Sequence, residues 1–139
     1  MCRYTSHMKT EKEDFKMYNN LAYDAYMQNN VGVESSSKLV EMLYEGVLKF
    51  NAQAKRAIKD EDVDKKVYWI NRSVAIITEL MMTLDMKSGD IAYYLDGLYN
   101  YQTRLLTEAN IENNIVKLDE VSGVFKVLLE AWREETHVG

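Results

Sequence analysis

The sequence predicts an all-α protein, an antiparallel up-down-up-down four-helix bundle with an N-terminal arm or short helix. Three observations carry this. The 139 residues include no proline and only six glycines, so the residues that punctuate sheets and tight turns are scarce. Apolar residues recur at helical spacing over four stretches of about 20 to 24 residues, each long enough to span about 30 to 36 Å. The connections between them are about four to six residues, short enough to force successive helices into antiparallel contact.

Residues 1–16, MCRYTSHMKTEKEDFK, are polar and aperiodic and precede a second methionine, Met17. The Ser6-His7-Met8 triplet is of the kind a cloning site leaves ahead of an insert, so this leader is set apart from the fold. Residues 17–34 form an arm that holds Tyr23 and Tyr26 and runs into a break around Asn29, Asn30 and Gly32. Ser35 then offers a side-chain oxygen to an orphan N–H of the first long helix.

On that helix Val40, Leu43, Tyr44, Val47, Ala54 and Ile58 make one stripe, with Asn51 its only polar member. Leu39, Met42, Gly46, Phe50 and Ala57 lie beside it. The acidic stretch Asp60, Glu61, Asp62 and Asp64 ends the pattern, and Asp62 or Asp64 can cap the next helix. That second helix, 64–86, carries Val67, Ile70, Val74, Ile77, Leu80, Met81 and Leu84, flanked by Trp69 and Ile76, and stops near Lys87-Ser88-Gly89. The third, 90–109, sets Ile91, Leu95, Leu98 and Leu106 on one stripe, edged by Tyr94, Tyr101 and Leu105. Asn110 and Asn113-Asn114 mark the next turn, and the fourth helix, 114–134, rests on Leu118, Val121, Phe125, Leu128, Leu129 and Trp132. One domain is expected over 17–135, with a frayed tail at 136–139.

Composition excludes several functions. There are 17 basic against 22 acidic residues, a formal charge of −5, with the basic ones scattered; a phosphate-neutralising nucleic-acid binder needs the opposite. The longest apolar run, Ile91 to Leu95, is far short of the roughly 20 residues a membrane span requires. One cysteine, Cys2, allows no internal disulfide and suits a reducing compartment, so a soluble cytoplasmic protein is expected.

Catalytic material is thin. The two histidines, His7 and His137, lie near the termini. Glu134-x-x-His137 matches half of a di-iron bundle motif, whose other half needs a second histidine in the bundle. Cys2 has no organised base beside it, and there is no glycine-rich phosphate loop or zinc spacing. Neither an enzyme nor a bound metal or cofactor is expected.

The apolar faces are unusually wide. On the first helix the arc reaches about 160° to 200°, whereas one core-facing stripe needs little more than about 100°. Burial against two neighbours explains most such residues. Alternatively the flanks line a groove, a use that suits a chain with 10 tyrosines and 8 methionines. Periodicity alone leaves both open.

Several ordered motifs resemble one family. Tyr23-Asp-Ala-Tyr26, Val33-Glu-Ser-Ser-Ser-Lys-Leu39 and Glu41-Met-Leu-Tyr44-Glu-Gly46 are followed by Ile77-Thr-Glu-Leu80, then Leu84-Asp85 ahead of Gly89. Leu95-Asp-Gly-Leu98-Tyr99, Ala109-Asn110 and Leu128-Leu-Glu-Ala-Trp132-Arg133 complete the series. In order and spacing these resemble the flagellar export chaperone family FliS over residues 17–135. The family's usual Ser-Pro at the first helix start is Ser35-Ser36 here, a small loss of preset φ.

The resemblance implies a four-helix chaperone of the bacterial cytosol. It would bind the disordered C-terminal segment of flagellin, prevent premature polymerisation and deliver the subunit to a flagellar type III export gate component. The flagellin-binding groove is expected at Leu39, Met42, Leu43, Phe50, Ile76, Leu80, Tyr94, Leu98, Tyr101 and Leu105. Of these, Leu43, Leu80 and Leu98 are the residues most readily read as plain core. Tyr23 and Tyr26 would form an N-terminal lid that flagellin displaces. A co-chaperone or flagellin regulator and a homodimer are further partners considered for the same apolar surface.

Overall fold

The computed structural model describes the backbone over residues 33–138 and side chains over 37–136. The leader and the arm with Tyr23 and Tyr26 lie outside the described residues. Four long helices succeed one another: α1 Val33–Lys59, α2 Val63–Met82, α3 Asp90–Glu112 and α4 Ile115–Val138, with a 3-10 turn at Met86–Ser88. There is no strand among the described residues. The chain divides into two compact units, Met1–Met42 and Leu43–Gly139, with the division falling inside α1. In the first unit, Lys38 Nζ donates to the largely buried Glu41 at 3.0 Å, one helical turn on.

The second unit is the four-helix bundle. Its antiparallel order is recorded by contacts between the 43–59 stretch of α1 and α4. Glu45 meets Arg133 at 2.7 Å, Asn51 meets Ser122 at 3.2 Å and Lys55 meets Asp119 at 3.0 Å, so numbers rise on one helix as they fall on the other.

Helix ends obey local chemistry. Asp62 caps α2 by accepting from Lys65 N–H at 3.1 Å. Asn113 adopts the left-handed conformation at φ 54° to end α3, and Asn114 Oδ1 accepts from Lys117 N–H at 3.2 Å to open α4. Lys66, largely buried, donates to Asn110 O at 2.8 Å and Asn113 Oδ1 at 2.7 Å, placing a cation on the negative end of the α3 dipole. On the surface of the same turn, hydrogen bonding to Lys117 holds the Glu108 carboxyl below the ordinary range, and Glu108 with Glu112 raises Lys117.

Four expectations need correction. Helix α1 begins at Val33, so Ser35 lies inside it and is no cap. Helix α2 stops at Met82, because Asp85 accepts from Lys87 N–H at 3.0 Å and starts a separate turn; Leu84 falls in the connection. Gly89 then takes φ 94°, open to glycine at no steric cost. Two connections, 60–62 and 113–114, are shorter than expected because α1 and α3 run on to Lys59 and Glu112. Finally, Ile91 is 61% exposed, since it occupies the first turn of α3, beyond the packed stripe.

Two features fix the core. Phe125 lies fully buried between Tyr44, edge-on at 5.8 Å, and Tyr99, stacked at 6.2 Å, while Trp132 meets Tyr44 edge-on at 6.3 Å. The Tyr44 and Tyr99 hydroxyls share a buried 2.7 Å hydrogen bond. Burial raises both phenol pKa values above the ordinary value near 10. An unfolded tyrosine ionises at lower pH than these two, so the stability they contribute is complete below about pH 10 and lost as pH rises through their native pKa values. In an alkaline titration, phenolate absorbance from Tyr44 and Tyr99 should appear only together with loss of helical circular dichroism.

The second feature is polar. Ser73 Oγ donates to Asn51 Oδ1 at 2.7 Å and Asn51 Nδ2 donates to Ser122 Oγ, so one buried amide ties α1 to α2 and α4. Asn51→Ala should cost about 1–3 kcal/mol in urea unfolding, because it leaves Ser73 buried without its acceptor. Asn51→Asp, which keeps that acceptor, should cost less at a pH low enough to protonate it.

Candidate functional site

Helix α3 is held from both sides, by Lys66 of α2 at its end and by the stacking of Tyr99 on Phe125 of α4. Ala92, Tyr99, Gln102, Leu106 and Ala109 face the interior. At helical spacing beside that buried face run Tyr94, Leu98, Tyr101 and Leu105. Tyr94 is 65% exposed and Tyr101 53% exposed, Leu98 between them is half-buried, and Leu105 at the far end is buried. The result is a sloping aromatic strip, wet at one end and continuous with the core at the other. Tyr93, 63% exposed, widens it, and Met82, Met86 and Ile91 expose further apolar surface around the turn joining α2 to α3.

The other expected groove residues fall elsewhere. Leu43, Ile76 and Leu80 are fully enclosed in the second unit. Phe50 is buried beneath Trp69, at 5.4 Å between ring centres, and beneath the Arg72 guanidinium, at 4.9 Å. Arg72 also lies over Tyr68 at 5.4 Å, so the guanidinium and the Trp69 ring that roof Phe50 are themselves packed against Tyr68. Leu39 and Met42, in the first unit, are half-buried. Thus the exposed apolar strip is made by the α3 residues, while five of the ten, Leu43, Phe50, Ile76, Leu80 and Leu105, are interior.

Periodicity did not single out Tyr93, Met82 or Met86. For Tyr93 the signal was present in the run Ile91 to Leu95, five consecutive apolar residues, because no single helical face can bury five in a row; Met82 and Met86, beside the α2–α3 turn, carried none. The strip has the chemistry of a recognition surface: rigid rings with a polar edge, bordered by methionines that adapt to a partner. Among the described residues, no three His, Cys, Asp or Glu side chains converge to hold a metal ion. No described helix is long and apolar enough to cross a membrane.

Comparison with known proteins agrees with the resemblance in the motifs. A family profile described as "Flagellar protein FliS" matches residues 17–137. The chain belongs to the FliS family. It is 56% identical over 119 residues to the flagellar secretion chaperone FliS of Campylobacter jejuni, covering 85% of this chain and 93% of that one. It is 35% identical over 112 residues to the flagellar secretion chaperone FliS of Bacillus subtilis, covering 81% and 84%. The FliS of Salmonella typhimurium is 34% identical over 124 residues, covering 85% and 92%. The FliS match begins at Met17, leaving residues 1–16 outside it.

Proposed function

We propose that this FliS-family chain is a cytosolic chaperone of flagellar export whose client is the C-terminal segment of flagellin. The observation that carries the proposal is the exposed Tyr94–Leu98–Tyr101 strip of α3, in a chain related over most of its length to flagellar secretion chaperones. An isolated amphipathic helix is marginal in water, so a segment that is disordered when free gains its helical structure by laying an apolar face on such a strip. The ordering entropy is offset by the surface buried. While bound, that segment is withheld from association with other flagellin copies, which keeps the subunit monomeric until it reaches the export gate. The role requires binding and release and no bond chemistry.

Calorimetric titration of the protein with a synthetic flagellin C-terminal peptide, beside a scrambled peptide, tests this. Saturable 1:1 binding with a negative heat-capacity change, absent from the scrambled control, is expected. Absence of heat and of a complex on gel filtration would overturn it.

A further inference from the structure

The described side chains include four methionines: Met42 on α1, Met81 and Met82 at the end of α2, and Met86 in the 3-10 turn. Met42 and Met81 are half-buried, whereas Met82 is 74% exposed and Met86 37% exposed. Both exposed methionines therefore flank the connection from α2 into α3. The turn that carries Met86 packs on α3, and it leads into the helical turns where Ile91, Tyr93 and Tyr94 are exposed.

Oxidation converts a methionine from a flexible apolar side chain into a polar one, which disrupts surfaces that rely on it. With hydrogen peroxide, a sulfur lone pair attacks one peroxide oxygen and the O–O bond breaks. The hydroxide released takes the proton left on the transferred oxygen, giving sulfoxide and water; sulfur is oxidised and the peroxide is reduced. Access to the sulfur governs which residue reacts first. We propose that Met82 and Met86 form a peroxide-sensitive modification site, at which sulfoxide formation lowers affinity for the client and leaves the bundle folded. This rests on the reading of the α3 strip as the flagellin-binding surface, whose border these two residues make.

The fold tolerates the change because nothing that ends α2 passes through either thioether. Thr83 N–H donates to Glu79 O and Leu80 O, both at 3.2 Å, and the Thr83 hydroxyl donates to Leu80 O at 2.7 Å. The following turn is fixed by the Asp85 carboxylate, which accepts from Lys87 N–H at 3.0 Å. A docked apolar helix does not tolerate it. A sulfoxide covered by that helix loses water without gaining a donor, and the expected loss is about tenfold in Kd.

The test treats the whole protein with hydrogen peroxide and removes the oxidant with catalase before the flagellin C-terminal peptide is titrated. Peptide mapping by mass spectrometry should show Met82 converted first and Met86 next, both ahead of Met42 and Met81. Affinity should fall about tenfold with unchanged helical circular dichroism, and methionine sulfoxide reductases A and B together should restore it. In the double variant Met82→Leu, Met86→Leu, peroxide should leave affinity equal to that of the same variant untreated. Conversion of Met42 or Met81 ahead of Met82 would overturn the inference, as would full conversion at both sites with undiminished binding. An equal loss in the double variant would place the effect at another oxidisable residue, and helical signal lost in step with affinity would make it unfolding; either result overturns the inference while the proposed function stands. Failure of the untreated wild type to bind would remove the client, and both proposals with it.

Discussion

Replacing Tyr94 and Tyr101 together by serine is expected to weaken binding of the flagellin C-terminal segment by about 100-fold, with little change in melting temperature. Both rings stand mostly in solvent in the free protein, so truncating them removes almost no packing from the fold. In a complex they would be desolvated anchors at the wet end of the strip. Truncating such an aromatic commonly costs more than about 1 kcal/mol, and two at neighbouring positions give about 2 to 3 kcal/mol, or roughly two orders of magnitude in Kd. Titration calorimetry measures the loss, and a thermal melt confirms that the bundle is intact. Unchanged affinity would remove the α3 strip from the binding surface, and a parallel fall in melting temperature would make these tyrosines structural.

Phe125→Ala is expected to have the opposite profile, a large loss of stability of about 3–5 kcal/mol by urea unfolding. The Phe125 ring is enclosed and touches Tyr44 and Tyr99. Its removal opens a cavity beneath the buried hydroxyl pair that links α1 to α3. Phe125→Leu, which refills most of the volume, should recover more than half of the loss. A change below about 1 kcal/mol for the alanine variant would mean that the interior collapses around the gap and that this cluster does not organise the bundle.

Four helices and their antiparallel order were legible in the sequence because the signals were local: 3.6-residue periodicity, Asp62 as a cap, Gly89 and the Asn113-Asn114 pair as turns. The misjudged boundaries were decided by competition between neighbouring signals. Asp85 caps a short turn where apolar periodicity alone would carry α2 through Leu84. The site was less legible. A helical wheel shows which residues share a face and omits which neighbouring helix covers it. Phe50 and Tyr101 looked alike as flank residues, yet Trp69 and Arg72 roof the first while Tyr101 stays 53% exposed with no such roof among the described residues. The motifs that resemble the FliS family carried more functional information than the periodicity, since several short patterns in fixed order specify a family where a stripe specifies only a face.

In the proposed function the exposed strip of α3 receives the flagellin C-terminal segment. Site-specific photo-crosslinking tests it most directly, with a benzophenone amino acid in place of Tyr94 or Tyr101 and, as control, in place of the equally exposed Val116 on α4. Irradiation-dependent crosslinks to flagellin are expected from positions 94 and 101, mapping to its C-terminal segment, and none from 116. Crosslinks from position 116 alone, in a preparation that binds flagellin, would contradict it.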